Sequence, residues 1–245
     1  MRHIIKPLRA VGIDVDVFLH TWHITGNQRV QKVEFDTAQK LDELHLLNPI
    51  DWRIDNQEEF ERLINIWTVA KRLSTPTARA CHVEDYWNGS AALLQNYICS
   101  LESQKRGLAM VNTTQFDFIM FLRPDVFIDR PFPVGDLTFL RLHANGLLLP
   151  AFTTHSHGYN DQFAVVHASH AAAYGMRGDA LEEYHREHGF IIAEKFTRTV
   201  INRNYIAKKI DICFWRVRPG GIKYGAELCV GERGPEPRTK QWHST

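Results

Sequence analysis

The sequence predicts an α/β fold with a mostly parallel central sheet and helices on both of its faces. Strand-like runs of β-branched and aromatic residues alternate with helix-like patterns through the first half of the chain. Residues 116–122 form an apolar run with the length of a buried strand. The 245 residues are 44% hydrophobic and 23% charged, which is an ordinary globular composition. We therefore expect a single domain at 1–230 and a poorly ordered tail at 231–245, which is rich in Pro, Gly and charge.

Each element follows from local hydrophobic periodicity and from its turn residues. Asp55, followed by acidic residues, predicts the N-cap of a helix that continues to about Arg72. Apolar residues at helical spacing predict the longest helix, and Asn145-Gly146 predicts a turn. We expect helices at 1–9, 41–47, 55–72, 90–112, 170–176, 181–188 and 190–206, and strands at 15–22, 30–35, 116–122, 137–142, 147–152, 163–166 and 210–218.

Charge and cysteine content limit the classes of function. Lys plus Arg number 29 and Asp plus Glu number 28, so a net charge of +1 does not indicate a nucleic-acid partner. The sequence has no membrane-spanning run. The four cysteines lie far apart and form no Cys-x-x-Cys pair. We expect them to be buried free thiols in a cytoplasmic protein.

The most informative position is Asp125. Pro124 cannot donate to a strand ladder, so pairing should end there and leave Asp125 at the carboxyl end of a central strand at 116–122. In open α/β sheets, ligands bind in the crevice outside those ends. On spacing alone, Asp125 either binds a cation or a sugar hydroxyl, or caps the next turn.

Several short motifs, taken together, resemble those of one family. They are Val15-Asp16-Val17-Phe18-Leu19-His20-Thr21-Trp22, Ser103-Gln104-Lys105, Phe116-Asp117-Phe118-Ile119, Arg123-Pro124-Asp125, Asn160-Asp161-Gln162-Phe163-Ala164 and Arg216-Val217-Arg218-Pro219-Gly220-Gly221. In order and spacing they resemble small GT-A-fold glycosyltransferases of bacteria and large viruses. The resemblance runs from about residue 4 to residue 221. It implies a Rossmann-like GT-A sheet whose usual first strand is missing from this sequence.

The resemblance also implies a chemistry and a place. A nucleotide-diphosphate sugar would be the donor, and a glycan or another hydroxyl compound the acceptor. A divalent cation, Mn²⁺ or Mg²⁺, is usually held by an Asp-x-Asp-type motif, of which only Asp125 is present here. The protein would act in the cytoplasm of a bacterial cell or of a virus-infected host cell.

Roles for individual residues follow from the same resemblance and from side-chain chemistry. Asp125 is the expected metal or donor-sugar ligand, and Asp161 is the expected general base, with a turn-forming role as its alternative. Lys105 and Arg123 are expected at the phosphates, although Lys105 also fits a solvated helix face and Arg123 a supporting salt bridge to Asp161 or Asp117. Further donor or nucleotide contacts are expected from Thr21 and Trp22, and acceptor or sugar contacts from Trp87, Tyr159 and Asn160.

An inverting single displacement is favoured because a candidate base exists and no Ser or Cys nucleophile constellation is visible. The close pair His155 and His157 fixes no third metal ligand, so a zinc site is not expected. Two alternatives stay open. One is a non-catalytic nucleotide-sugar or glycan-binding domain of the same fold. The other is a nucleotidyltransferase or phosphohydrolase, which would place further carboxylates beside Asp125.

Overall fold

A computed structural model describes residues 2–24, 28–30, 33–35, 41–74, 91–152, 157–218 and 222–224, and shows an α/β fold. The strands are β1 (Phe18–His23), β2 (Gln28–Val30), β3 (Val33–Phe35), β4 (Asp51–Asn56), β5 (Phe118–Leu122), β6 (Val126–Ile128), β7 (Gly146–Pro150), β8 (Phe163–His167), β9 (Ile206–Ile210), β10 (Phe214–Arg218) and β11 (Ile222–Tyr224). The α-helices are α1 (Arg2–Ala10), α2 (Gln57–Leu63), α3 (Ile66–Ser74), α4 (Ala91–Ala109), α5 (Leu137–Leu142), α6 (Ala171–Gly175), α7 (Leu181–His188) and α8 (Ala193–Asn202).

The main sheet is mixed rather than mostly parallel. Its four strands lie in the order β5-β8-β7-β9. The pairs β5/β8 and β7/β8 are antiparallel, and β7/β9 is parallel. β1 pairs in parallel with β4, and β10 lies antiparallel between β6 and β11. Within the described order, β5 is an outer strand, so the expected central position is wrong.

Helices cover both faces of the four-stranded sheet, as predicted. Successive residues of a strand point to opposite faces. Phe163 and Val165 of β8 pack into one apolar cluster, and Ala164 and Val166 pack into another. The first cluster includes Ile4 and Leu8 of α1 and Leu137 and Leu140 of α5; the second includes Ala171 and Tyr174 of α6 and Ile201 of α8.

The longest described helix, α4, connects the two parts of the sheet system. It has 19 residues and buries Leu94, Tyr97, Cys99 and Leu101. It packs against β1 and α3 on one side and α6 on the other. α4 therefore lies beside the β1/β4 pair and, through α6, beside the four-stranded sheet. No helix in the described ranges is long and apolar enough to cross a membrane.

The predicted helix at 55–72 has a different start and an interruption. Asp55 lies in β4, and the N-cap is Asn56, whose side chain accepts the Glu59 N–H at 3.0 Å. The helix breaks into α2 and α3 at Asn65, which has a φ of +48°. Asparagine tolerates this left-handed conformation better than most residues do. The strand β4 was missed because its sequence is largely polar and its partner is a distant parallel strand.

Two further segments differ from the prediction. Residues 137–142 form α5 instead of a strand, and Leu137 and Leu140, three positions apart, share its buried face. The predicted helix at 190–206 ends at Asn202, and the predicted strand at 210–218 is divided between β9 and β10. These apolar runs are short enough to fit either period, and tertiary packing decides between them.

The cysteines follow the prediction only in part. Cys99 on α4 is a buried free thiol, as expected. Cys213 is disulfide-bonded, so the expectation of a free thiol is wrong at that position. Spacing along the chain carries no information on which cysteines meet in the fold.

Candidate functional site

Arg123 and Asp125 form a two-pronged ion pair just after β5. Arg123 Nε donates to Asp125 Oδ1 at 2.8 Å, and Nη2 donates to Oδ2 at 2.7 Å. Asp125 thus lies at the carboxyl end of its strand, as predicted. The Val217 N–H donates to the Asp125 carbonyl at 2.7 Å, which ties this turn to β10. The partner of Arg123 is therefore Asp125, and neither Asp161 nor Asp117 forms the expected salt bridge.

The antiparallel pairing of β5 with β8 brings Asp161 to the same place. Leu122 is paired with Phe163, so the residues after β5 lie beside the residues before β8. The Arg123 N–H donates to the Gln162 carbonyl at 3.4 Å. The negative charge of Asp161 also contributes, after Asp125, to raising the pKa of the Arg123 guanidinium against its burial. Asp125 and Asp161, which are distant in sequence, therefore flank one arginine.

Arg177 is a buried cation that no sequence pattern indicated. It lies in the 3₁₀ turn Arg177–Ala180, is 2% exposed, and stacks its guanidinium 3.9 Å from the centre of the Tyr174 ring. Its Nη1 donates to Gln104 and, at 2.7 Å, to the Tyr174 carbonyl. Its Nη2 donates to the Asp161 carbonyl at 3.3 Å. Arg177 therefore fixes the loop that carries Asp161 against α4 and α6.

Glu194 is a buried acid on the other side of this loop. It lies in the first turn of α8 and is 5% exposed. Burial, and next the charge of Asp161, raise its pKa to about 8 from an ordinary 4.5. The Tyr159 N–H donates to the Glu194 carbonyl at 2.9 Å, and a Cβ added at Gly158 would meet the Glu194 backbone at 2.2 Å. Glycine at 158 is therefore needed for the close approach between this loop and α8.

We call Arg123, Asp161, Tyr174, Arg177 and Glu194 the Asp161 cluster. Arg177 donates to the Asp161 carbonyl and stacks on Tyr174, the Arg123 N–H donates to Gln162, and the Tyr159 N–H donates to Glu194, so these residues meet around the 159–162 loop. Within the described structure, Tyr174 Oη, Arg177 Nε and Glu194 Oε2 are buried atoms without a hydrogen-bond partner. Buried polar atoms are almost always paired with protein, water or ligand. The Asp161 cluster therefore has unused donors and acceptors at the end of β5.

Three of the predicted contact residues lie elsewhere. Lys105 is partly exposed and pairs with Asp179 at 2.6 Å, which attaches the Arg177–Ala180 turn to α4. Trp22 is buried, with its ring stacked 5.0 Å from Phe60 and the Arg106 guanidinium 4.9 Å from its centre. Its indole N–H donates to a backbone carbonyl of α4 at 3.0 Å. The adjacent Thr21 is only partly buried on β1. Trp22 packs in the core, and Thr21 keeps some exposed surface.

The residues predicted to contact sugar have defined local partners. Asn160 is fully buried; its side chain accepts the Gln162 N–H at 2.9 Å and donates to the Phe152 carbonyl at 3.3 Å. It therefore shapes the turn before β8. The Tyr159 hydroxyl donates to Asn202 Oδ1 at 2.8 Å, and Tyr159 is partly exposed. Trp87, His155 and the tail at 231–245 lie outside the described residues.

A second polar cluster joins β1, β4 and α4. His20 Nδ1 lies 2.8 Å from Ser103 Oγ, and His20 Nε2 lies 3.1 Å from Asp55 Oδ2. Asp55 also accepts from Arg53 at 2.8 Å and from Arg106. These hydrogen bonds outweigh burial and hold the pKa of Asp55 below its ordinary range, whereas burial lowers the pKa of His20.

The order Ser103–His20–Asp55 is that of a nucleophile, a base and an acid, which the sequence did not reveal. The His20 side chain is 1% exposed, and Ser103 lies in the middle of α4. In the interior of a helix the backbone N–H groups are already bonded, so they do not supply an oxyanion hole. This second cluster connects secondary-structure elements, and we assign it a structural role.

A divalent cation does not fit the described side chains as they are arranged. Both carboxylate oxygens of Asp125 are engaged by Arg123. Among the described residues, no group of three or more His, Cys, Asp or Glu side chains is placed to hold a metal ion. A cation at Asp125 would have to displace a guanidinium that already neutralises this carboxylate.

The geometry thus points to one polar site, the Asp161 cluster, at the junction of β5 and β8. Comparisons with protein-family models, with curated proteins and with solved structures find no match to this chain.

Proposed function

We propose that the protein is a glycosyltransferase that moves a sugar from a nucleotide-diphosphate sugar to a hydroxyl acceptor, with inversion at the anomeric carbon. The observation that carries the proposal is the meeting of Arg123, Asp125 and Asp161 where β5 and β8 pair. It brings a cation and a candidate base together where β5 ends and β8 begins. The sequence motifs named above support the same function.

In the proposed reaction, the acceptor oxygen forms a bond to the anomeric carbon as the bond from that carbon to the diphosphate breaks. The diphosphate leaves with the electron pair of the broken bond, and Arg123 lies where it can offset the growing negative charge. The proton of the acceptor hydroxyl passes to Asp161, the carboxylate beside Arg123. Arg177 and Asn160 hold the loop that carries Asp161, and so position the base.

No step of this proposal passes through a protein-held metal ion, because the described carboxylates do not form a site for one. Mn²⁺ or Mg²⁺ remains a prediction from the resemblance alone. A cation carried in by the diphosphate is compatible with the same roles for Arg123 and Asp161.

The closed Arg123–Asp125 pair favours a second candidate, a nucleotide-sugar or glycan-binding domain without catalytic activity. In that case Asp125 serves to orient Arg123, and the site binds a donor without turning it over. The second candidate predicts stabilisation by a ligand but no product.

The test is a panel of UDP-, GDP- and dTDP-sugars, each with and without Mn²⁺, in which unfolding temperature, donor hydrolysis and transfer are measured. We expect at least one donor to stabilise the protein and to be consumed. Asp161→Asn and Asp125→Ala should abolish turnover, and Asp129→Asn, an exposed acid in the same segment, should not. Stabilisation without turnover supports the binding domain, and no stabilisation by any donor refutes both.

A further inference from the structure

We propose that Glu194 is protonated and donates a hydrogen bond through Oε2 to a substrate hydroxyl, and that Asp161 accepts the hydrogen bond which this hydroxyl donates. The proposal rests on the proposed function and deepens it. It adds a substrate-binding residue that the sequence motifs do not contain. The group that the site recognises is an uncharged hydroxyl, which accepts a hydrogen bond from Glu194 and donates one to Asp161.

The first support is the geometry of the Glu194 side chain. The residue is only 5% exposed, and Oε2 has no hydrogen-bond partner within the described structure. Tyr174 Oη and Arg177 Nε, in the same cluster, are also buried and unpaired. A stable protein does not leave such atoms together unless water or a ligand completes them.

The second support is the balance of charges around Glu194. The helix dipole normally favours the ionised form of an acid in the first turn of a helix. The free energy involved is small beside the cost of completely desolvating the charge. Here burial and the nearby carboxylate oppose ionisation and outweigh the Glu194 backbone N–H and Arg216 of β10, which favour it. The charged or titratable groups on the elements around the pair are Asp161, Arg216, Arg177, Arg123, Tyr97 and Tyr174.

The consequence is a division of labour between two acids in different environments. Burial raises the pKa of Glu194, so Glu194 serves as the hydrogen-bond donor. Asp161 lies beside Arg123 and serves as the acceptor. A hydroxyl placed between them is held in one orientation, with its proton directed at Asp161.

The first arm of the test needs no ligand. Infrared difference spectra of the full chain, wild type minus Glu194→Gln, should contain the C=O band of a protonated carboxyl at pH 6. The band should disappear as the pH rises through about 8. In Asp161→Asn the band should disappear at a lower pH, because the like charge is gone. Glu59→Gln, at an exposed acid in the first turn of α2, should remove no such band.

The second arm measures affinity for UDP-, GDP- and dTDP-glucose by calorimetry. Glu194→Gln retains a donor and should bind within about threefold of wild type, whereas Glu194→Ala should bind about tenfold more weakly. Equal affinity of the alanine variant overturns the role of Glu194 in recognition and leaves the proposed function standing. The absence of the pH 6 band overturns the protonated state of Glu194. If the band is present and no donor binds to wild type, the proposed function fails while the proton assignment stands.

Discussion

Replacing Glu194 by glutamine should make the stability of the protein less dependent on pH. The carboxyl has a pKa of about 8 in the folded protein against an ordinary value of 4.5. Below about pH 4.5 the group is protonated in both the folded and the unfolded chain, so its ionisation does not affect stability. Between these two values the unfolded chain loses the proton first, and the folded state becomes less stable relative to it. Above about pH 8 both states are ionised and the loss is complete.

The size of the effect follows from the shift. One pKa unit corresponds to about 1.4 kcal/mol, so the complete shift corresponds to about 5 kcal/mol. Water entering around a newly charged Glu194 reduces this value, and we expect a loss of about 2–4 kcal/mol across the window. Glutamine has nearly the same shape and no proton to lose. The free energy of unfolding of the Glu194→Gln variant, relative to that of wild type, should therefore rise steadily from pH 5 to pH 8.

The assay is urea unfolding at intervals from pH 5 to pH 9, with the free energy of unfolding taken at each pH. The difference between Glu194→Gln and wild type should grow with pH and then level off above about 8. The matched control is Glu59→Gln, which changes an exposed acid that is also in the first turn of a helix. If the Glu194→Gln and wild-type curves run parallel across this range, Glu194 is not a buried protonated acid and the reasoning is refuted.

Three other substitutions test the two polar clusters. Tyr174→Phe removes a buried hydroxyl without a partner and should change the free energy of unfolding by less than about 1 kcal/mol, while weakening donor binding in the calorimetric assay. Arg177→Met leaves several carbonyl acceptors unpaired and should destabilise the protein by about 2–4 kcal/mol in urea unfolding. Asp55→Asn should lower the free energy of unfolding by about 1–3 kcal/mol at pH 7. The difference from wild type should shrink as the pH falls below about 4, because protonation of Asp55, whose pKa is lowered in the folded protein, removes the stabilisation there. A difference that stays constant with pH would contradict this.

The sequence predicted the position of Asp125 because a local rule was sufficient. An apolar run followed by proline ends a ladder, and the next acid lies at the strand end. The meeting of Asp125 with Asp161 needed more, namely the antiparallel register of β5 and β8. The alternation of elements favoured parallel neighbours, and no local pattern indicated that register. The expected salt bridge of Arg123 to Asp161 or Asp117 is also wrong, since Arg123 pairs with Asp125, two residues along the chain.

Glu194 and Arg177 were missed for a different reason. A charged residue in a helical pattern is normally read as part of the solvated face, and only tertiary packing shows otherwise. For Glu194 a weak signal exists: it shares a face of α8 with Thr197 and Ile201, both buried. An acid in phase with an apolar stripe is worth testing as a buried group. Arg177 lies in a short 3₁₀ turn, where no periodicity is long enough to give such a signal.

The contrast between the two polar clusters is the physical argument for where the function lies. Around Asp55 each charge has a matching partner: two arginines and His20 bond its carboxylate, and Ser103 completes the imidazole. A network without free donors or acceptors holds elements together and offers nothing to a ligand. Around Asp161 the opposite holds, since a buried acid, a phenol and a guanidinium nitrogen keep unused hydrogen-bonding capacity. Buried donors and acceptors without partners destabilise the folded chain unless a ligand forms hydrogen bonds with them. A ligand rich in hydroxyl groups can do so, because each hydroxyl can accept from a donor and donate to a carboxylate.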